Sequence, residues 1–134
     1  RSIGDHDAVF GSRYLRGVRV YNWSFGRLLL SKTSNEFIRF ILGIPSTDTT
    51  TAYKCFRRRV LEKIHADRLG GKQNAFFIHL VFETYRHGFR AEEIPFLFTE
   101  REEGESKMRA SVAWESLAMV FRLWPLRWMP KPRI

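Results

Sequence analysis

The 134-residue sequence has a single cysteine, Cys55. An internal disulfide is therefore excluded, and the thiol is expected to be reduced and packed as a small hydrophobe. The four histidines are scattered, so no Cys or His recurs at metal-ligand spacing. No apolar run reaches the roughly 20 residues that a membrane-spanning helix needs. The longest apolar stretch near the end, residues 113–124, is interrupted by Glu115 and Arg122, so the chain is expected to touch a membrane without crossing it. The opening RSIGDHD is polar and does not read as a secretory signal. Internal repeats and low-complexity tracts are absent from the sequence. Acidic residues are few, 14 against 23 basic ones, for a formal net charge of +9. That balance favours anionic partners (nucleic acid, anionic lipid or phosphorylated small molecules) without choosing among them. Aromatic surface is plentiful, with twelve Phe, four Trp and four Tyr. It excludes wholesale disorder and supplies the core of one domain.

Strand and helix patterns alternate along the chain. In residues 7–14, DAVFGSRY, the continuous apolar run Ala8-Val9-Phe10 predicts a strand buried on both faces. Residues 17–23 read as an irregular loop. Residues 24–42 carry apolar side chains at helical spacing and are stopped by Gly43 and Pro45. Residues 49–56, rich in β-branched and aromatic side chains, predict a strand, and 57–64 a short helix. Residues 74–87 predict a helix ended by Gly88. Residues 92–99 predict a strand, which Pro95 places at a sheet edge or a bulge. A charged loop over 100–108 precedes a last helix over 109–124, stopped by Pro125, and a basic, Pro-rich tail. The fold class expected is α/β in layers. Three strands are few for such a sheet, which points to part of a larger domain.

Four groups of residues could carry chemistry. In REEGESKM, residues 101–108, Arg101 offers a planar fork, Lys107 a compact charge, Ser106 a hydroxyl, and Gly104 close approach to the backbone. That set suits a phosphate; Glu102, Glu103 and Glu105 equally suit a solvated charge run. GSRY delivers Arg13 at the carboxyl end of the first strand, where ligands of open α/β sheets collect. Arg27 and Ser31 share a helix face four residues apart and make a second phosphate site plausible. The bland alternative is an ordinary surface for both. In DTTTAYKCFRR, residues 48–58, Asp48 and Thr49 can order a loop by local hydrogen bonds or serve a site. The run Arg57-Arg58-Arg59 reads as a solvated or membrane-facing face. Finally, Trp114, Leu117, Val120, Phe121 and Trp124, followed by Arg127, Trp128, Lys131 and Arg133, have the composition of an interfacial helix or of a helix packed on its domain. No helix-turn-helix, RNA-recognition or zinc-finger signature supports nucleic acid as the partner.

GSRY, Asn22-Trp23, Arg27, Ser31, Asn35, DTTTAYKCFRRRVL and GFRAEEIPFLFTEREEGESKM, in that order, resemble the C-terminal half of dolichol-phosphate mannose synthase and related polyprenyl-phosphate glycosyltransferases. The resemblance runs from about residue 7 to 124. It implies the C-terminal portion of a Rossmann-like GT-A domain over residues 1–108 and an amphipathic interface helix with a basic tail over 109–134. It implies a family 2 glycosyltransferase that moves a sugar from a nucleotide sugar, often GDP-mannose, onto a polyprenyl or dolichyl phosphate with inversion, using Mg²⁺ or Mn²⁺. Location would be peripheral, on the cytoplasmic face of a membrane. Arg13, Arg27 and Ser31 match the acceptor-phosphate positions, and Arg101, Ser106 and Lys107 match positions holding donor and acceptor phosphates.

The sequence departs from the family in three ways. The metal-binding Asp-x-Asp and the nucleotide-binding strands are absent; Asp5-His6-Asp7 is a chance match before a strand. His79 stands where relatives usually carry a carboxylate, and Ala52 replaces a frequent Gly. The expectation is a fragment with no metal site, not competent for transfer by itself. Two alternatives stay open: a UDP-sugar donor, glucose or N-acetylglucosamine, and a non-catalytic basic module that binds lipid or nucleic acid.

Overall fold

The computed structural model describes residues 4–17, 20–21, 24–72, 74–99 and 110–130. Their architecture is mixed α/β. A three-stranded sheet has the order β3-β1-β4, with β1 Ala8–Ser12 between β3 Lys54–Phe56 and β4 Ala91–Pro95. The β1–β3 pair is antiparallel and the β1–β4 pair parallel, with Phe10 opposite both Lys54 and Glu93. All five residues of β1 are buried, as the apolar run requires of a central strand. Among the described residues β4 lies at the sheet edge, one of the two places that Pro95 at its end allows. A second, two-stranded sheet joins β2 Val20–Tyr21 to β5 Phe98–Thr99 in parallel.

Helix α1, Phe25–Leu42, begins at Ser24, whose hydroxyl accepts from the Arg27 N–H at 3.3 Å. It ends at Gly43, which has φ +65°, a conformation that costs other residues strain. Arg127 donates to the last-turn carbonyls of Phe40 and Ile41 at 3.1 and 3.0 Å, and its guanidinium lies where a Gly43 Cβ would project. Helix α3, Asn74–Arg86, packs against α4, Ala110–Leu123, and a turn of 3₁₀ helix, Trp124–Trp128, follows α4. The main core joins Ala8 and Phe10 of the sheet with Ile38 and Leu42 of α1, Ile78 and Val81 of α3, and Met119, Val120 and Leu123 of α4. Val60 and Ile64, on and after α2 (Arg58–Lys63), form a smaller cluster with Leu80 and Phe89.

Five sequence expectations change. The strand expected over 49–56 is confined to Lys54–Phe56, because residues 46–50 spend their polar groups on side chains instead of a ladder. The strand expected over 92–99 divides into β4 and β5, and the loop expected over 17–23 contains β2. Cys55 is exposed, not packed: strand alternation turns Lys54 and Phe56 inward and Cys55 outward. The arginine run is not simply a solvated face. Arg57 donates to the His6 carbonyl at 2.9 Å and to the Gly4 carbonyl, and Arg59 pairs with Asp7.

Candidate functional site

Three stretches converge at the carboxyl end of β1. The strand carries Ser12 and delivers Arg13 and Tyr14 just beyond it. The loop after α1 brings residues 46–50, and α1 itself presents Arg27, Ser31 and Asn35. The tightest contact joins Arg13 to Asp48. Arg13 Nε donates to Asp48 Oδ2 at 2.7 Å and Nη2 to Oδ1 at 2.9 Å, while the Arg13 backbone N–H also reaches Oδ2 at 3.1 Å. Nη2 meets Thr50 Oγ1 at 3.1 Å as well. Asp48 is 0% exposed and Arg13 is 8% exposed. Burial alone would disfavour the guanidinium's charge; the Asp48 hydrogen bonds outweigh it and hold the proton more firmly than usual.

Beside this pair, Asn35 works in two directions. Its Oδ1 accepts from the Thr49 N–H at 2.8 Å and from Thr49 Oγ1 at 2.9 Å, and its Nδ2 donates to the Ser31 carbonyl at 3.1 Å. The Ser31 hydroxyl shares a hydrogen bond with the Tyr14 hydroxyl. Burial raises the pKa of Tyr14, so the phenol keeps its proton; the charges of Arg13 and Arg27 pull the other way. The Arg13 guanidinium lies 5.3 Å from the Tyr14 ring centroid. Glu93 fastens the loop from beneath. It accepts from Ser46 Oγ at 2.8 Å, from the Thr47 N–H at 2.7 Å and from Thr47 Oγ1 at 2.8 Å; Ser12 Oγ and Thr47 Oγ1 lie 2.6 Å apart.

The structure thus gathers Arg13, Asp48, Thr49 and Ser31 into one connected network, with Arg27 one turn before Ser31 and close enough to act on Tyr14. Asp48 and Thr49 order the loop and Arg13. Arg101, Ser106 and Lys107 lie outside the described residues, as do Asn22, Trp23, Lys131 and Arg133. His79 sits half-buried away from this network, with Nδ1 accepting from the Gly70 N–H at 3.2 Å and Nε2 3.9 Å from Glu83. Asp7, in the chance Asp5-His6-Asp7 match, is a structural clamp that accepts from the Arg90 N–H at 2.8 Å and pairs with Arg59. Glu93 and Lys54 were not singled out by the sequence. Their signal was parity: each is a charged residue placed opposite buried Phe10, where a strand flanking a buried one normally sets an apolar side chain.

The chemistry on offer is anion recognition. A cation, Arg27, and two hydroxyls, those of Ser31 and Tyr14, stand at the rim of a neutral Arg13–Asp48 pair. Asp48 is spent on Arg13, so it is not poised as a base. Among the described residues no three or more His, Cys, Asp or Glu gather to hold a metal, and these residues do not fit Mg²⁺ or Mn²⁺. No family model matches the chain. Individual relatives do match. The chain is similar to part of three curated mannosyltransferases. It is 43% identical over 121 residues to a polyprenol monophosphomannose synthase of Mycolicibacterium smegmatis, covering 90% of this chain and 45% of that protein. It is 37% identical over 124 residues to an undecaprenyl-phosphate mannosyltransferase of Micrococcus luteus, covering 91% of the chain and 51% of the relative. Identity is 30% over 128 residues with a dolichol-phosphate mannosyltransferase of Pyrococcus furiosus, covering 91% and 33%. The chain therefore spans about half the length of the first two mannosyltransferases and a third of the last. All the residues of the network fall in a chain that is matched over nine-tenths of its length.

Proposed function

We propose that this chain forms the acceptor side of an enzyme that transfers mannose, with GDP-mannose as donor, onto a polyprenyl or dolichyl phosphate with inversion at the anomeric carbon. The observation that carries the reading is the connected network of Arg13, Asp48, Thr49, Asn35 and Ser31 at the carboxyl end of the central strand, in a chain related to three mannosyltransferases of polyprenyl or dolichyl phosphates. Arg27 and Ser31 would bind the acceptor phosphate, with the Arg13–Asp48 pair as their rigid backing. Arg101, Ser106 and Lys107 would close over phosphates from the other side.

A lipid phosphate is already an anionic nucleophile, so the reaction needs placement of that oxygen more than a base. A network whose two carboxylates, the buried Asp48 and the half-buried Glu93, are both engaged as acceptors agrees with that demand. In the whole enzyme, Mg²⁺ or Mn²⁺ would neutralise the departing nucleotide diphosphate. The described residues contribute binding and orientation.

A membrane surface is part of this reading, on its cytoplasmic side. Among the described residues no helix is long and apolar enough to cross a membrane. Yet Phe25 and Phe40 of α1 are each 78% exposed, and Trp114, Trp124 and Trp128 are also exposed. Helix α4 divides its apolar residues, burying Met119, Val120 and Leu123 while presenting Trp114 and Phe121 to solvent. Exposed aromatics beside Arg122 and Arg127 suit the interface of an anionic bilayer.

The test compares binding of undecaprenyl phosphate and undecaprenol in the same detergent micelles. Phosphate-dependent binding that Arg27→Ala weakens is expected. Equal binding of the phosphate and the alcohol would sink the acceptor reading and leave a non-specific lipid-binding module. Competition by GDP-mannose against UDP-glucose, in transfer by a polypeptide completed with the nucleotide-binding part of a relative, would decide the donor.

A further inference from the structure

Lys54 is a cation built into the seam between sheet and helix. It comes from β3 at the inward-facing parity and pairs in register with Phe10. Its Nζ donates to the Thr51 carbonyl at 2.6 Å and lies 5.2 Å from the Phe10 ring centroid and 5.8 Å from that of Phe77 on α3. The charged groups that face it are Asp48 from the loop after α1, Glu93 from β4 and Arg13 from the end of β1. These four groups balance, two cations against two carboxylates. Asp48 must be ionised to hold Arg13, and Glu93 must be an acceptor to hold Ser46 and Thr47. Arg13 engages Asp48 directly, which leaves Glu93 dependent on a second, less direct counter-charge.

We propose that Lys54 is the positioning residue of the acceptor site: its ammonium group supplies the counter-charge beneath the loop of residues 46–51 and ties the loop down through the Thr51 carbonyl. It touches no substrate and acts through Asp48, Glu93 and the loop backbone. Its consequence for the acceptor rests on the function proposed above; its hold on the loop does not. Burial of the amine, only partly offset by Asp48 and Glu93, brings its pKa down to about 8, so the counter-charge is lost within an accessible pH range.

The experiment uses the 134-residue protein, with amide NMR and a soluble prenyl phosphate, geranyl phosphate, as probe. Three amides report the loop and its anchor: Arg13 on Asp48, Thr47 on Glu93 and Thr49 on Asn35. In the wild type they are expected to shift with one midpoint near that of the Lys54 side chain. Lys54→Arg, whose charge does not titrate, should hold those signals in their low-pH positions and keep geranyl phosphate binding within about twofold. Lys54→Met should speed hydrogen exchange at the three amides by roughly tenfold or more while Ile78 and Val81 in α3 are unchanged, and should weaken the probe by about tenfold. Loop amides that ignore the lysine titration, or exchange that rises equally in loop and α3, would overturn the proposal. Loop amides that respond in a protein that binds no geranyl phosphate would support the role of Lys54 and refute the acceptor reading separately.

Discussion

Asp48 holds Arg13 by three hydrogen bonds, two to the guanidinium at 2.7 and 2.9 Å and one to the backbone N–H at 3.1 Å, from a position with no solvent exposure. One carboxylate thus fixes both where the chain goes after β1 and where its first cation points. A buried pair of this kind is costly to break because removing one partner strands the other charge. Asp48→Ala is therefore expected to cost about 3–5 kcal/mol in urea denaturation. Asp48→Leu combined with Arg13→Met should recover much of that loss, since neither charge then remains buried. A single-variant loss under about 1 kcal/mol would mean that the loop is held by other contacts.

Arg27 offers the opposite combination. It lies at the start of α1 outside the buried pair, acting on Tyr14 through its charge. Arg27 is half-buried, so Arg27→Ala is expected to cost about 1 kcal/mol, well below the loss for Asp48→Ala. It should nevertheless weaken a prenyl phosphate by roughly tenfold, as loss of one charge-assisted contact does. Isothermal calorimetry beside a denaturation curve separates the two; a variant that loses binding together with as much stability as Asp48→Ala would assign Arg27 to the scaffold.

His79 predicts a pH dependence. Burial lowers its pKa from 6.5, against the pull of its Gly70 hydrogen bond and Glu83. The unfolded chain then binds this proton more readily than the folded one. The contribution to stability is complete above pH 6.5 and is lost as the pH falls from there toward the folded value. His79→Leu should flatten the stability profile in that window, measured by thermal unfolding at several pH values. An unchanged slope would place its origin at another group.

Gly11 tests the aromatic cover of β1. A Cβ there would come 2.7 Å from a Tyr53 ring carbon and 2.9 Å from a Phe96 ring carbon. These rings stack with centroids 5.0 Å apart. Gly11→Ala should push them aside and cost about 1–3 kcal/mol, the usual range for overpacking. A stability within about 0.5 kcal/mol of wild type would show that the exposed Tyr53 ring moves away freely.

The exposed aromatics predict membrane attachment. Replacing Phe25 and Phe40 by Ser should leave the fold intact, because both rings are largely exposed. It should release the protein from anionic vesicles in a sedimentation assay, by about 2 kcal/mol or more of binding for the pair. Retention of vesicle binding would direct attention to the exposed tryptophans near the end of the chain.

The elements most legible in the sequence were those whose local pattern matches their burial. The run Ala8-Val9-Phe10 announced a strand covered on both faces, and Gly43 and Gly88 marked where helices stop. Pro95 marked an edge. The loop after α1 was misread because Thr49, Thr50 and Thr51 have strand propensity, yet Asn35, Arg13 and Lys54 claim their polar groups. Tertiary hydrogen bonds there outweigh a preference that spans only about 1 kcal/mol. Cys55 was misplaced for a related reason: composition favours a buried thiol, but the pairing register sets its side of the sheet.

For the candidate site, the sequence by itself nominated Arg13, Arg27, Ser31, Asp48 and Thr49, together with Arg101, Ser106 and Lys107 outside the described residues, in an order that carries a resemblance to polyprenyl-phosphate glycosyltransferases. Only the tertiary structure decided their relations. Arg13 and Asp48 are separated by 35 positions in the chain and joined by a bidentate bond, and Glu93 reaches Thr47 across 46 positions. Helical and strand periodicity are written locally, in side chains a few residues apart. Which buried charge answers which depends on strand order and on how a loop returns to the sheet, and no short-range pattern encodes that.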